Sequence, residues 1–168
     1  IDKIRDTAFS LNRNFLIEVM GRASGFIAMN VGIAGGAEII LIPEFPMPFN
    51  VLHQKIKQQA GKKMASIIVL AESDEPGHSI QLAKEIKEHT DITYKVCILG
   101  HTQRGGTPTA KDRVMGSLMG AKAIEALLDS EKCQMVAAKH GNITTTHFPN
   151  TGNTTRFFSD KKILKINQ

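Results

Sequence analysis

The stretch from residue 100 to residue 106, GHTQRGG, contains residue types that bind a phosphorylated small molecule. It directly follows an apolar run at 96–99 that predicts a buried parallel strand. The glycine pair lets backbone amides approach a ligand closely, and the guanidinium of Arg104 matches the oxygen geometry of a phosphate. The alternative is a glycine-rich turn with an exposed arginine, but His101, Gln103 and Arg104 together at a strand end favour a ligand site.

A second turn, MGRASG at residues 20–25, joins a predicted strand to a predicted helix. It lacks the Gly-x-Gly-x-x-Gly spacing of dinucleotide-binding turns, which argues against a nicotinamide cofactor. At a helix N-terminus, unbonded backbone amides and the helix dipole favour an anion, and Arg22 adds a positive charge. The alternative is a capping turn formed by Ser24, with Arg22 on the surface.

Two further strand ends carry carboxylates, Glu44 and Glu72. A carboxylate in this place can accept hydrogen bonds from sugar hydroxyls, although Glu72 could equally be a solvated acid in the acidic loop 72–75. Because the carboxyl ends of parallel strands meet at one edge of a sheet, we expect these acids to lie near Arg22, His101 and Arg104. The sequence therefore predicts a pocket for a phosphorylated sugar.

The groups that attack a bond are not evident in the sequence. The six histidines show no metal-ligand spacing, and neither a Gly-x-Ser-x-Gly elbow nor a Gly-x-x-x-x-Gly-Lys-Ser/Thr loop occurs. We therefore predict no metal site in this chain.

The elements that position these residues alternate between short apolar runs and amphipathic segments. This pattern predicts an α/β fold, a three-layer sandwich with a mostly parallel, Rossmann-like sheet. Strands are predicted at 14–19, 39–42, 65–70 and 94–99, helices at 1–12, 26–34, 52–60, 79–89 and 110–128, and a hairpin at 134–138 and 143–146.

Composition narrows the class of protein. The 168 residues are 42% hydrophobic, which suits a packed domain, and no apolar run approaches the roughly 20 residues of a membrane helix. Two cysteines and a charged start without signal-peptide character favour a reduced, cytoplasmic compartment. The net charge of +5 raises the possibility of nucleic-acid binding, but the chain has no Trp and one Tyr for base stacking. We predict no membrane and no nucleic acid as partners.

Taken together, these residues resemble the phosphofructokinase family, in particular its downstream half. The resemblance runs from residue 1 to about residue 130, and its segments follow the family's order and spacing. They are IDKIRDT at 1–7, VMGR at 19–22, AGGAE at 34–38, PE at 43–44, LGHTQRGGTP at 99–108 and DR at 112–113.

The resemblance implies 6-phosphofructokinase activity, a step of glycolysis. A phosphoryl group would pass from ATP or pyrophosphate, with Mg²⁺, to the 1-hydroxyl of fructose 6-phosphate. Arg22 would lie near the transferred group as a catalytic residue, Glu72 would hold sugar hydroxyls, and His101 and Arg104 would bind the sugar phosphate. The site would also be lined by Met20 and Gly21.

The resemblance also implies a homo-oligomer, a homotetramer, whose sites are shared between subunits. Arg13 would reach the 6-phosphate in a neighbouring subunit, and so would Lys95. The family more often has Arg in place of Lys95, and Lys keeps the charge but loses the two-pronged guanidinium.

An allosteric effector site is implied at another interface. Its ligands would include Arg5 and Glu38, together with Lys62 and Lys63. The alternative for the two lysines is a solvated helix end.

The family's phosphoryl-donor loop and catalytic Asp are expected upstream of residue 1, so we expect a fragment that is inactive alone. Residues 1–102 would form the sugar-phosphate domain, 103–140 would cross back to the missing donor-binding domain, and 141–168 would be a C-terminal segment. The helix at 110–128 would then expose apolar surface in the isolated chain. Two alternatives stay open: a non-catalytic sugar-phosphate or nucleotide sensor, and a nucleic-acid binder that uses the basic end of the chain at Lys161, Lys162 and Lys165.

Overall fold

The computed structural model describes residues 1–22, 24–60, 65–73, 75, 77–129 and 134–148. These residues form two compact units, 1–104 and 105–148. The first unit contains α1 (Asp2–Leu11), β1 (Asn14–Val19), α2 (Phe26–Ala34), β2 (Ile39–Leu41), α3 (Phe49–Gln59), β3 (Ile67–Ala71), α4 (His78–Thr90), β4 (Tyr94–Ile98) and a 3₁₀ turn (Gly100–Gln103). The second contains α5 (Ala110–Leu128), β5 (Gln134–Lys139) and β6 (Asn142–His147).

The first unit is built on a four-stranded, fully parallel sheet in the order β2-β3-β1-β4. Residues of β1 alternate between the two faces, so Leu16 packs with side chains of α3 and α4, and Ile17 packs with those of α1 and α2. Helices therefore cover both faces of the sheet. This confirms the predicted three-layer α/β sandwich.

The register of the sheet brings strand ends to the same level. Val19 of β1 lies beside Ala71 of β3, and Glu18 lies beside Ile98 of β4. The residues that follow β1, β3 and β4 consequently leave the sheet at one edge, as the sequence predicted.

Most elements start or end within one to three residues of their predicted positions, and local geometry accounts for the differences. Helix α3 begins at Phe49 rather than at residue 52, because the carbonyl of its N-cap, Pro48, accepts the first helical hydrogen bond from Leu52 N–H at 3.0 Å. Strand β2 ends at Leu41, because Ile42 turns to pair with Phe45 in an isolated bridge. Strand β4 ends at Ile98, before the 3₁₀ turn.

In the second unit, α5 spans the residues that the sequence predicted. A capping box fixes its start: the Thr109 hydroxyl accepts from the backbone N–H of Asp112, and the Asp112 carboxylate accepts from the backbone N–H of Thr109. The Thr109 hydroxyl also donates to the Asp112 carboxylate at 2.7 Å, and this bond together with the one from the Thr109 N–H lowers the pKa of Asp112. Strands β5 and β6 pair antiparallel, which confirms the predicted hairpin.

Helix α5 carries apolar side chains that are exposed, as predicted. Each of them leaves more than half of its surface accessible to solvent. They are Val114, Leu118, Ile124, Leu127 and Leu128. Most of the predicted C-terminal segment, residues 149–168, lies outside the described residues.

Candidate functional site

Three adjacent strand ends bring the predicted acceptor-site residues together. Met20 follows β1, Glu72 follows β3, and the 3₁₀ turn containing His101 follows β4. Backbone hydrogen bonds join these ends beyond the strands: Glu72 N–H donates to the Val19 carbonyl at 2.8 Å, and Leu99 N–H donates to the Glu18 carbonyl at 3.1 Å. Ligands in open parallel sheets bind at this kind of edge.

The turn at residues 20–22 is held from one side by Glu72. Its Oε1 accepts the backbone N–H groups of Gly21, at 3.3 Å, and of Arg22, at 3.1 Å. Arg22 has a φ of 48°, a left-handed conformation that is costly for a residue with a side chain. Gly21 is required for space, because an added Cβ would lie 2.1 Å from the Ser24 carbonyl oxygen. Glu72 therefore stabilises the left-handed backbone conformation of Arg22, which sets the direction of its side chain.

The same turn is held from the other side by Gln103. Its side-chain oxygen accepts the backbone N–H of Met20 at 3.2 Å, and its side-chain nitrogen donates to the Gly100 carbonyl at 3.1 Å. Sequence reasoning included Gln103 in the motif but gave it no role. Its position between His101 and Arg104 at a strand end is the sequence feature that could have indicated a role for Gln103.

The start of α2 is held by a carboxylate of the protein itself. Both oxygens of Glu44 lie 3.0 Å from the backbone nitrogen of Gly25, the N-cap residue of the helix. The amides of Met20, Gly21, Arg22 and Gly25 bind Gln103, Glu72 and Glu44, so these four are not left for an anionic ligand. An anion at the first turn of α2 itself stays a prediction. Gly25 is the N-cap residue, and the Ser24 hydroxyl accepts the backbone N–H of Phe26 at 3.4 Å, so Ser24 contributes to capping as the alternative predicted.

The charged side chains of the edge are accessible. Arg22, His101 and Arg104 are exposed, whereas Glu72 is half-buried. Arg22 and Glu72 line a cavity of about 500 Å³, whose remaining wall is mostly apolar and comes from β2, β3, α3, α4 and the loop after β2. Small-molecule sites have this size and this mixture of an apolar wall with a few polar groups. An exposed arginine at such an edge can make charge-assisted hydrogen bonds to a phosphate group.

Arg13 and Lys95 lie at the opposite edge of the sheet. Arg13 immediately precedes β1, and Lys95 is the second residue of β4, where it lies beside Phe15. Both are exposed, and the length of β1 separates Arg13 from the Met20 turn by about 20 Å. Their implied role in a neighbouring subunit's site stays a prediction, and their distance from the site of their own chain is compatible with it.

The predicted effector residues fall into two groups. Arg5 donates to the carbonyl oxygens of Gly35 and Gly36 at the end of α2, and its Nη1 lies 4.0 Å from Oε1 of Glu38. Glu38 is almost fully buried and accepts the backbone N–H of Ile67 at 2.7 Å. These contacts join α1, α2 and β3, so both side chains have a structural role in this chain, and an effector role stays a prediction. Lys62 and Lys63 lie outside the described residues.

Two other features bear on function. Among the residues that the structure describes, no three His, Cys, Asp or Glu side chains come together as metal ligands. No helix in the described part of the chain combines the length and apolar character needed to cross a bilayer.

The fold is a parallel α/β sandwich, and charged and polar residues follow the carboxyl ends of its strands. Residues 1–127 match the family described as Phosphofructokinase. The chain belongs to the phosphofructokinase family.

Several curated relatives are similar over most of this chain. An ATP-dependent 6-phosphofructokinase of Coxiella burnetii is 64% identical over 99% of this chain and 51% of its own length. The ATP-dependent 6-phosphofructokinase 1 of Thermus thermophilus is 48% identical over 87% of this chain and 46% of its own length. The chain thus spans about half the length of the curated relatives it matches.

Solved structures agree with the fold. Phosphofructokinase from Saccharomyces cerevisiae has a TM-score of 0.73 and 33% identity, and the match covers 86% of this chain and 21% of that one. A pyrophosphate-dependent phosphofructokinase from Marinobacter aquaeolei has the same TM-score at 20% identity, over 86% of this chain and 42% of that one. At that identity the second likeness supports the fold alone.

Proposed function

We propose that this chain is the acceptor-side half of an ATP-dependent 6-phosphofructokinase, a glycolytic kinase that transfers a phosphoryl group to the 1-hydroxyl of fructose 6-phosphate. The observation that carries the proposal is the meeting of the Met20–Arg22 turn, Glu72 and the His101–Arg104 segment at one edge of the sheet. The names of the curated relatives support the reaction class and the donor.

In this proposal each element of the site has a task. Arg104 and His101 bind the sugar phosphate, and the carboxylate of Glu72 accepts hydrogen bonds from sugar hydroxyls while it holds the turn. Arg22 stabilises the negative charge that spreads over the transferring phosphoryl group. Positioning and charge stabilisation are the main sources of rate in phosphoryl transfer.

The donor side belongs to the rest of the protein. Mg²⁺ would enter with the nucleotide and neutralise its phosphates. The described residues offer no ligand set for the ion, so we derive no step through a metal held by this chain. The assembly we propose is a homo-oligomer in the cytoplasm in which Arg13 and Lys95 complete the phosphate site of a neighbouring subunit.

The test is a coupled assay of the full-length protein with fructose 6-phosphate and Mg²⁺, in which ATP and pyrophosphate are compared as donors. We expect saturable turnover with ATP and background rates with pyrophosphate. Fructose and glucose 6-phosphate serve as acceptor controls. Turnover with pyrophosphate alone would overturn the choice of donor, and no phosphorylation of fructose 6-phosphate by a folded protein would overturn the function.

A further inference from the structure

We propose that Gln103 is a positioning residue that fixes the Met20–Arg22 turn relative to the segment that carries His101 and Arg104. The inference deepens the proposed function and rests on it. The side-chain amide of Gln103 hydrogen-bonds to the backbone of the two loops that follow β1 and β4, and it acts through them.

The geometry is a bridge with one hydrogen bond on each side. Oε1 of Gln103 accepts the Met20 N–H at 3.2 Å, and Nε2 donates to the Gly100 carbonyl at 3.1 Å. Met20 and Gln103 are separated by 83 residues of sequence, so the first bond is a tertiary contact between the ends of β1 and β4. The second bond closes the side chain onto its own 3₁₀ turn and fixes the direction in which the amide faces.

Only a carboxamide of this length satisfies both partners. Met20 offers a donor and Gly100 an acceptor, and the glutamine side chain supplies one acceptor and two donors. Glutamate could accept from Met20 but would face the Gly100 carbonyl without a hydrogen to donate. Methionine has nearly the same length and shape but makes neither bond, and asparagine is one methylene shorter.

The bridge complements the contact made by Glu72. Glu72 holds the amides of Gly21 and Arg22 from the side of β3, and Gln103 holds the amide of Met20 from the side of β4. The three consecutive amides are therefore held from both neighbouring strands, and the contact from the β4 side joins them to the segment that carries His101 and Arg104. Loss of Gln103 would leave the backbone bond from Leu99 to Glu18 in place but would remove the side-chain bond to Met20, so the Met20–Arg22 turn could shift relative to His101 and Arg104.

The experiment compares full-length Gln103→Met with the wild type and with Gln81→Met. Gln81 is exposed on α4 and donates one side-chain hydrogen bond to Glu85, so its variant makes the same chemical change away from the turn. We expect Gln103→Met to lose about 10- to 100-fold in kcat/KM for fructose 6-phosphate, because displacement of reacting groups by about 1 Å has effects of this size. KM for ATP and the melting temperature should stay close to those of Gln81→Met. Should Gln103→Met fold poorly, Gln103→Asn tests the same bridge with a polar side chain.

A double variant separates positioning from general destabilisation. If Gln103 acts by placing Arg22, Gln103→Met should lower kcat/KM for fructose 6-phosphate by a much smaller factor in the Arg22→Ala background than in the wild type. Equal costs in both backgrounds, or a kcat/KM for fructose 6-phosphate that matches Gln81→Met, would overturn the positioning role alone. A wild type without phosphofructokinase activity would instead overturn the proposed function, and the inference with it.

Discussion

Arg22 illustrates how a single residue depends on its neighbours. Its φ of 48° is unfavourable for any residue with a Cβ, and the hydrogen bond from its amide to Glu72 compensates for part of that cost. The side chain is exposed at the carboxyl edge, where a phosphorylated ligand can reach it. The strained backbone and the accessible charge together favour a role in catalysis over a role in packing.

The two arginines of the edge should differ in their kinetic effects. We expect Arg104→Ala in the full-length protein to raise KM for fructose 6-phosphate strongly, because a charge-assisted hydrogen bond to a phosphate contributes about 1.5–3 kcal/mol. Arg22→Ala should instead lower kcat more than it raises KM, because the charge of Arg22 would act on the transferring group. Steady-state kinetics measure both effects, and Arg104→Lys controls for charge without the two-pronged geometry. Unchanged acceptor kinetics in Arg104→Ala would contradict the assignment.

At the scale of elements, α3 and α4 meet through a cluster of rings formed by Phe49, His53 and His89. The ring centroids of Phe49 and His53 lie 3.8 Å apart, and those of His53 and His89 lie 4.9 Å apart in a stacked arrangement. The pKa of His53 is lowered by burial, by His89 and by Lys57, and Glu85 opposes this shift. The folded state therefore disfavours a proton on His53.

This cluster predicts a loss of stability in mild acid. Below the ordinary histidine pKa of about 6.5, the unfolded chain binds a proton that folded His53 takes up only at lower pH, so stability falls as the pH falls through this interval. The free energy of unfolding, measured in urea at pH 7.5 and pH 5.5, should decrease less between the two pH values for His53→Leu than for the wild type. His147→Leu, which changes an exposed histidine of β6, should keep the wild-type drop. Equal drops in all three proteins would refute the prediction.

Elements were predictable from the sequence where the signals are local. Helix α5 was placed correctly because its apolar periodicity and polar start lie in adjacent residues. The position of Glu72 and His101 at one edge of the sheet follows from the carboxyl-end rule for parallel sheets. The contacts of Gln103 and Glu44 were not predictable, because each joins a side chain to a backbone amide in a distant segment. No pattern of neighbouring residues in the sequence indicates a hydrogen bond between such distant segments.

At the scale of the whole molecule, we predict that these 168 residues alone do not turn over substrate. Phosphoryl transfer requires a positioned donor, and the chain spans about half the length of its curated relatives. The coupled assay on the isolated chain should give background rates, whereas the full-length protein is active. Turnover by a preparation whose mass confirms 168 residues would contradict this.

The hydrogen bonds of the Met20–Arg22 turn also impose an order on folding during synthesis. Its amides bind side chains that lie 50, 51 and 83 residues further along the chain. The turn therefore leaves the ribosome well before Glu72 and Gln103 exist, and water must solvate its amides until those residues emerge. The carboxyl edge of the sheet is thus expected to become ordered only after most of the sheet has been translated.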